Sequence, residues 1–581
     1  MTARSWSERW PGASPRGARL ASLLCVLLIV AAFRMTAARA VELELPTRVP
    51  FWVVDAIPPA ISELYYGHRL RYTALESVQR RFFSRVDRDN PTARTVNAAM
   101  QRLRETSNDD PGTAYLLMGP DDKGIVDLVE LGFRLFGPRL ESVITMYFAL
   151  LALSCLLYVG AFWRSPSALL LLAASLTMLY LVMPMVAFNP QLKSLLALRA
   201  LPILAMVACL HCLLFMASSL HQRVNRLGVG LVALQALLIA FTMHLRSTTI
   251  WEVATIVGFG AVVLAVAAWR AWHGARAGAR GGAFSSVAAT LGLVIAGYLG
   301  LQVYQATVFP EEYRRGDEIA TRVFWHNVYT GFAYHPTMRE RYQLRLDDVS
   351  IMVATRDWLI ENGQLDTWLA IGGRPPGPPG QDEPPSAFEG VKFAKYDPLV
   401  RDMLISRCST FVRECLETVL YYKPVSLLKN LAWMYGLREL PPDLDVVESK
   451  YFGDLLQRQF VGTSQRLDAT GFRAYLWTPR VLLLMLPFVV LLSLFESRGP
   501  ALAALAAGAW LALGSTIPTE AGYAAMHTIG EPSIAFGMLL YLGLALTIAT
   551  ALRRILAFQG SGAVDSDATT GHPASLLRSR G

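Results

Sequence analysis

Ten long apolar runs constrain this chain more than any other feature of its sequence. The first lies at 18–33, and nine more follow at 140–163, 167–187, 194–217, 227–244, 250–269, 286–306, 480–496, 499–517 and 533–552. A helix of about 20 apolar residues spans the hydrocarbon core of a bilayer. Charged residues make up only 17% of the chain, against about 25% in soluble proteins. The sequence therefore predicts a mainly α-helical, polytopic membrane protein with about ten transmembrane helices.

The apolar runs divide the chain into successive segments. These are a cytoplasmic N-terminus at 1–17, a transmembrane helix or signal sequence at 18–40, an extracytoplasmic region at 41–139, six transmembrane helices at 140–306, a mainly helical extracytoplasmic domain at 307–479, three transmembrane helices at 480–552, and a cytoplasmic tail, expected to be disordered, at 553–581. Ala38-Arg39-Ala40 is similar to a signal-peptidase site, so cleavage stays open, although Arg34 and Arg39 favour a retained helix. Within 41–139 the pattern predicts a helix from Thr92 to Arg104.

Basic residues fall mainly in alternate loops between the runs. The loops predicted to be cytoplasmic carry Arg164, Arg223, Arg226, Arg270, Arg276, Arg280 and Arg498, and the tail carries Arg553 and Arg554, whereas the short outer loops carry only Lys193 and Arg246. Cytoplasmic loops of membrane proteins are enriched in Lys and Arg. We therefore predict a multi-pass protein of a bacterial-type inner (plasma) membrane, with both termini in the cytoplasm and both large polar regions outside. The same loops account for the net charge of +9, so we expect no nucleic-acid partner.

The cysteines fall into two groups. Four of them, Cys25, Cys155, Cys209 and Cys212, lie in apolar runs, where we expect packing rather than metal or redox chemistry. Cys408 and Cys415 lie in a polar region. On one continuous helix they would be about 10 Å apart along the axis, which is too far for a disulfide. The sequence therefore predicts that both are free.

The stretch most suggestive of chemistry is Pro120-Asp121-Asp122-Lys123-Gly124, which precedes an amphipathic run to Gly137 and then an apolar run. A carboxylate just outside a membrane can act as a general base on an acceptor hydroxyl or bind a divalent cation. Lys123 would offset the charge of a phosphate. The alternative is a solvated turn that caps the following helix. Asp55, which lies nearer the first apolar run, is a second candidate for the catalytic acid.

This layout resembles the GT-C superfamily of membrane glycosyltransferases. The resemblance rests on Pro120-Asp121-Asp122-Lys123-Gly124-Ile125-Val126-Asp127-Leu128 and on Leu135-Phe136-Gly137, between the first outer region and the second spanning helix. The family's acidic motif usually follows the first helix closely, whereas about eighty residues intervene here. The resemblance implies a GT-C-like fold, a sugar donor carried on polyprenyl phosphate, and a glycan, lipid or protein acceptor on the outer face. It implies no certain cofactor, and a divalent cation is compatible but not required.

Further candidates lie elsewhere in the chain. Arg199, about 9 Å inside its apolar run, is a candidate for binding the donor phosphate or for a structural ion pair, and Glu252 is predicted to be interfacial. His326, flanked by aromatic residues outside the membrane, is a candidate for phosphate binding or acid–base chemistry, with a packed, hydrogen-bonded histidine as the alternative. Tyr523 and His527 share the last outer loop, which in the family closes over donor or acceptor.

Two other function classes compete with the glycosyltransferase. The first is a non-enzymatic accessory or scaffold subunit of a surface-polysaccharide assembly or export system. The second is a transporter, which the sequence disfavours because the apolar runs hold few charged residues. Walker A, H-E-x-x-H and G-x-S-x-G motifs are missing from the sequence, so nothing in it supports an ATP-driven protein, a zinc peptidase or a serine hydrolase.

Overall fold

The structure is a computed structural model. It describes residues 15–44, 51–66, 82–86, 92–104, 124–188, 201–220, 226–246, 249–273, 277–308, 323–345, 348–376 and 391–425, together with 486–488 and 490–491. These parts of the chain are helical and contain no strand. The predicted fold class, a mainly α-helical membrane protein, is thus confirmed at this coarse level.

Ten α-helices are described before residue 309. They are α1 (Pro15–Glu44), α2 (Phe51–Tyr66), α3 (Ala93–Arg104), α4 (Gly124–Phe136), α5 (Leu140–Phe162), α6 (Pro166–Phe188), α7 (Met206–Ser218), α8 (Arg226–Leu245), α9 (Ile250–Trp272) and α10 (Ala277–Val308). A 3-10 turn, Leu201–Ala205, leads directly into α7.

Six stretches within these helices are long and apolar enough to cross a membrane. They are Arg19–Val41, Leu140–Phe162, Leu201–Ser218, Arg226–Leu245, Glu252–Trp272 and Ala283–Tyr304. Each coincides with a predicted run. A seventh run forms α6, whose apolar part with described side chains, Pro166–Tyr180, is shorter. The last three predicted spans fall almost wholly outside the described residues, so the total of ten stays a prediction.

The spanning helices share one apolar core, in which α1 packs along α6. Thr36 of α1 donates its hydroxyl hydrogen bond to the carbonyl of Leu176 at 3.2 Å. In the hydrocarbon region of a bilayer such polar groups need a hydrogen-bond partner within the protein, because the lipid provides none. A second buried network joins α5, α7 and α8, where Ser154 donates to Gln235 at 2.8 Å and Gln235 Nε2 lies 3.2 Å from His211 Nδ1.

Helix α3 shows how a polar helix attaches to this bundle. It begins one residue after Thr92, whose hydroxyl accepts a hydrogen bond from the backbone N–H of Thr95 at 3.2 Å, as an N-cap does. Asn97 then accepts a hydrogen bond from the backbone N–H of Leu140 at 2.9 Å and donates to the Glu141 carboxylate at 3.2 Å. One side chain of α3 thereby caps the start of α5.

A second core belongs to the region between 323 and 425. Its helices are α11 (Phe324–Thr330), α12 (Pro336–Tyr342), α13 (Asp348–Glu361), α14 (Leu365–Ala370), α15 (Phe393–Thr410) and α16 (Val412–Glu417), with a 3-10 turn at Gly331–Tyr334 and a π-helical turn at Thr418–Tyr422. The largest side chains of this core, Trp368, Tyr329 and Tyr396, are fully buried.

The prediction that Cys408 and Cys415 are free is wrong, because the structure joins them in a disulfide. The prediction assumed one continuous helix through both residues. The chain instead breaks at Phe411, where the backbone angles are φ −120° and ψ 55°, and α16 starts in a new direction. The break brings the two Cα atoms to 5.6 Å, within the range that a disulfide requires.

Candidate functional site

Helix α4, which directly follows the acidic stretch, forms the base of the candidate site. Its apolar side, including Ile125, Leu128, Val129 and Phe133, is buried, whereas Arg134 is exposed. The buried side packs against α2, α5 and α8. The 3.6-residue periodicity of the sequence dictates this arrangement, because apolar residues three and four apart share one face of a helix. Helix α4 therefore lies across one end of the bundle, which we call the α4 end.

Asp127 projects from α4 into a hydrogen-bonded cluster. Its Oδ2 atom lies 2.6 Å from Nε2 of His244, at the end of α8, and accepts a hydrogen bond from the Tyr304 hydroxyl, near the end of α10, at 3.1 Å. The rings of His244 and Tyr304 meet edge to face, with centroids 5.6 Å apart. We call these three residues the Asp127 cluster. It joins α4 to residues that lie 117 and 177 positions further along the chain.

The Asp127 cluster is enclosed without being sealed. The His244 side chain is 2% exposed, whereas that of Asp127 is 20% exposed. Both hydrogen bonds of the carboxylate use Oδ2. Oδ1 accepts no hydrogen bond from the described residues, as a base that takes a proton from a substrate hydroxyl requires. A carboxylate held in one orientation by a histidine and a tyrosine is suited to general-base chemistry.

Gly124 fixes the start of α4 against the end of α8. A Cβ atom at this position would lie 2.2 Å from the carbonyl oxygen of His244 and 2.6 Å from the backbone nitrogen of Leu245. Only glycine permits such a close approach between two backbones. The acidic pair Asp121-Asp122 lies outside the described residues, as does Lys123, but Asp122 precedes Gly124 by only two residues. The motif therefore adjoins the Asp127 cluster in the chain.

Asp55 lies on α2, the helix that packs against α4. The neighbouring residues Val53, Ala56 and Ile57 are fully buried in that contact. Nothing is described of the Asp55 side chain itself, so its role stays a prediction. The structure does bring the helix that carries Asp55 to the helix that carries Asp127. Three other predicted residues, Arg199, Tyr523 and His527, lie outside the described residues.

His326 belongs to the second core. Its Nδ1 atom lies 2.8 Å from the Tyr396 hydroxyl and its Nε2 atom lies 3.1 Å from Asp348 Oδ1. The residue is 1% exposed, and its backbone N–H donates to Asp397 at 3.0 Å. Burial raises the pKa of the Tyr396 hydroxyl well above its ordinary value, so this group stays a hydrogen-bonding phenol. These contacts match the packed histidine that the sequence left open as the alternative, and they do not join His326 to Asp127.

Glu252, predicted to be interfacial, is the first residue of the candidate spanning stretch Glu252–Trp272, and its depth in the membrane stays a prediction. Its side chain is 0% exposed, so protein encloses it there. The Cys209 thiol of α7 lies 3.9 Å from its backbone carbonyl. Depth along one helix, which the sequence provides, does not determine which neighbouring helices cover a side chain.

The sequence pattern did not single out His244 or Tyr304, and it included Asp127 only within the acidic motif. His244 is the last residue of one apolar run and Tyr304 lies near the end of another, so their position at the ends of predicted spanning helices was a weak indication. Polar side chains at the ends of predicted spanning helices lie at one of two membrane boundaries. Which of them meet is a matter of helix packing, which the sequence leaves undetermined.

Among the described residues, no group of three His, Cys, Asp or Glu side chains is placed to hold a metal ion. The predicted optional divalent cation at Asp121-Asp122 is untested by this result, because those residues lie outside the described ranges.

Comparisons of the chain with protein-family models, with curated proteins and with solved structures gave no match. The resemblance to GT-C glycosyltransferases therefore depends on the layout and the short acidic stretch alone.

Proposed function

We propose that the protein is a membrane glycosyltransferase that moves a sugar from a polyprenyl-phosphate donor to an acceptor on the outer face of the membrane. The observation that carries the proposal is the Asp127 cluster. Asp127, on the short helix that follows the acidic motif, meets a histidine and a tyrosine at the ends of two spanning helices. A lipid-linked donor brings its reactive phosphate to this level of the membrane.

The proposed chemistry assigns the base to a carboxylate at the α4 end. The acceptor hydroxyl loses its proton to Asp121, Asp122 or Asp127 as its oxygen attacks the sugar carbon, and the polyprenyl phosphate leaves. Asp127 joins the earlier candidates because its Oδ1 is open to a substrate. His244, when protonated, would stabilise the negative charge that develops on the leaving phosphate. Lys123 and Arg199 are the further candidates for this charge.

Two observations support an outer location for this chemistry. Basic residues concentrate in the alternate loops, which the positive-inside rule assigns to the cytoplasm. The Cys408–Cys415 disulfide supports the same orientation, because disulfides persist in oxidising compartments and are rare in the cytosol. It lies in the region between 307 and 479, which shares its predicted side with α4.

The accessory-subunit alternative has one observation in its favour. Four large apolar side chains near the disulfide, Val412, Leu416, Leu420 and Tyr421, are each more than half exposed. An exposed apolar patch often marks a surface that binds another molecule. A scaffold would use such a surface, and it would not need the Asp127 cluster.

Charge-neutral substitutions separate the two functions. Asp121→Asn, Asp122→Asn, Asp127→Asn and Asp55→Asn are each tested in cells for the surface glycan. A matched control is available in Asp109 and Asp110, an acidic pair that also precedes a turn in the same outer region. We expect loss of the glycan at unchanged protein level from at least one variant at the α4 end, and no loss from the Asp109→Asn/Asp110→Asn control.

A direct assay completes the test. Purified protein is incubated with a panel of undecaprenyl-phosphate sugars, and release of undecaprenyl phosphate is measured. We expect one donor to react with the wild-type protein and to fail with the inactive variant. If all four variants retain the wild-type glycan and no donor reacts, the glycosyltransferase proposal is wrong and the accessory role is favoured.

A further inference from the structure

Three helices of the bundle each bury a polar side chain that is incompletely hydrogen-bonded. Among the described residues no partner exists for Nε2 of His211 on α7, for either carboxylate oxygen of Glu252 on α9, or for the hydroxyl of Thr290 on α10. All three residues are 0% exposed. Helices α7, α9 and α10 pack against one another in every pair. Buried polar atoms without partners are rare in proteins, and each calls for an explanation.

The packing of the three helices fixes their relative depth. A Cβ atom at Gly260 of α9 would lie 3.2 Å from Val287 of α10 and 3.6 Å from the sulfur of Met216 on α7. These three residues therefore lie at one level of the bundle. Near the α4 end, Cys209 meets Glu252, which shows that α7 and α9 run in the same direction. Helix α10 runs the opposite way, since its far end reaches Asp127.

The three polar groups lie at different depths in the bundle. Thr290 lies three residues beyond the common level toward the α4 end, His211 five residues and Glu252 eight residues, or roughly 4.5, 7.5 and 12 Å at about 1.5 Å per residue. The His211 ring packs against Tyr158 and Phe162 of α5 and bonds Gln235 of α8, so its partners lie on α5 and α8 rather than on α9. Glu252 is therefore considered by itself.

Among the described residues, no cation, including Arg246 six residues earlier in the chain, pairs with Glu252, because neither of its carboxylate oxygens has a partner. The charged and titratable side chains on the described lengths of α7, α9 and α10, besides Glu252, are Cys209, His211, Cys212, Arg270, Arg280, Tyr298 and Tyr304. Arg270 lies 18 residues from Glu252, or about 27 Å along α9, and Arg280 lies at the same far end. Burying an unpaired carboxylate costs several kcal/mol, so the neutral acid is the favoured form.

The missing partners of Glu252 favour the neutral acid. A neutral carboxyl group has one O–H donor and an accepting carbonyl oxygen, and in the described part of the chain neither oxygen of Glu252 has a hydrogen-bond partner. Leaving a neutral polar group unpaired inside a protein costs less free energy than leaving a charged one unpaired.

We propose that Glu252 is a proton-binding carboxyl group inside the bundle. This inference goes beyond the proposed function and does not rest on it. It assigns a proton as the ligand of Glu252, and it makes Glu252 a modification site for lipophilic carbodiimides. Such reagents enter membranes and react with neutral carboxylic acids.

Dicyclohexylcarbodiimide tests the proposal on the full chain in membranes. The acid proton passes to a carbodiimide nitrogen as a carboxyl oxygen bonds to the central carbon, and the acyl group then moves to nitrogen to give a stable N-acylurea without loss of atoms. We expect mass spectrometry to find the adduct on Glu252 and not in E252Q. Glu130 is the internal control, because it is also buried but is ion-paired with Arg134 at 2.5 Å.

Infrared spectroscopy gives an independent readout. We expect a neutral-acid C=O stretch in the wild-type protein that is missing in E252Q and that shifts in D₂O because the bound proton exchanges for deuterium. If E252Q fails to fold, the loss of this band from wild-type protein after reaction with the carbodiimide replaces the variant. The proposal is overturned if no such band exists, if the band is unmoved by D₂O, or if Glu130 is labelled as strongly as Glu252.

Discussion

The contact at Gly124 predicts that adding a single methyl group there disrupts the Asp127 cluster. In Gly124→Ala the new Cβ atom would lie 2.2 Å from the carbonyl oxygen of His244. An ordinary contact of this kind needs about 3.4 Å, so the two backbones must separate by roughly 1.2 Å. The neighbouring atoms belong to the backbone of His244 and Leu245. Unlike a side chain, this backbone cannot relieve the contact by adopting another rotamer.

A displacement of that size is enough to break the hydrogen bond between Asp127 and His244. The Asp127–His244 distance of 2.6 Å would grow to beyond 3.5 Å if the whole start of α4 moved away, and a bond of that length is effectively lost. Overpacking of a tight contact costs about 1 to 3 kcal/mol. A displacement of about 1 Å in a catalytic group can reduce the rate roughly 100-fold.

The assay compares thermal unfolding in detergent and glycan formation in cells. Gly300→Ala is the matched control, since Gly300 lies in α10 and a Cβ atom there meets nothing within 4 Å. We expect Gly124→Ala to unfold at a lower temperature than Gly300→Ala and to lose the glycan. The double variant with Asp127→Asn adds a second comparison, because two changes that break the same bond should be less than additive.

A Gly124→Ala protein with the stability and function of the Gly300→Ala control would refute this reasoning. It would mean that α4 is not held against the end of α8 at this distance. Additive losses in the double variant would mean that Gly124 acts independently of the Asp127–His244 bond.

Three further predictions concern other parts of the fold. Serine at Cys408 and Cys415 should lower the unfolding free energy of the second core by about 2 kcal/mol for a seven-residue separation, and dithiothreitol should then have no further effect on its melting temperature. Burial raises the pKa of Tyr396, so its contribution to the free energy of unfolding should be complete below about pH 10, the ordinary pKa of a tyrosine, and should fall at higher pH. In Tyr396→Phe the melting temperature, measured over a series of pH values, should decrease less above about pH 10 than it does in the wild-type protein. Asn97→Ala should cost about 1 kcal/mol by leaving the Leu140 N–H without its cap, which hydrogen exchange at Leu140 would report.

Some of the fold was accessible from the sequence because its causes are local. The spanning stretches follow from length and hydropathy, and α3 follows from its Thr92 cap and its 3.6-residue pattern. The disulfide was not accessible, because the expected distance assumed a straight helix through Phe411. A break in a helix depends on tertiary packing, which a window of neighbouring residues does not reveal.

The candidate site shows the same division. The sequence singled out the acidic stretch and the amphipathic helix after it, and this drew attention to α4. The partners of Asp127 lie 117 and 177 residues further along the chain, and only the packing of α8 and α10 brings them there. The burial of Glu252 was not accessible for a related reason, since hydropathy reports depth in a membrane and not burial by neighbouring helices.

The pairing of α1 with α6 has a consequence for biosynthesis. Thr36 meets Leu176 across 140 residues of chain, and ribosomes add about 5 to 20 residues per second. Helix α1 therefore leaves the ribosome roughly 7 to 28 s before its partner. During that interval lipid or the translocation machinery has to accommodate the side of α1 that later packs on α6. Assembly of this bundle is thus limited by the order of synthesis, and a pause in translation before α6 would prolong the exposure of α1.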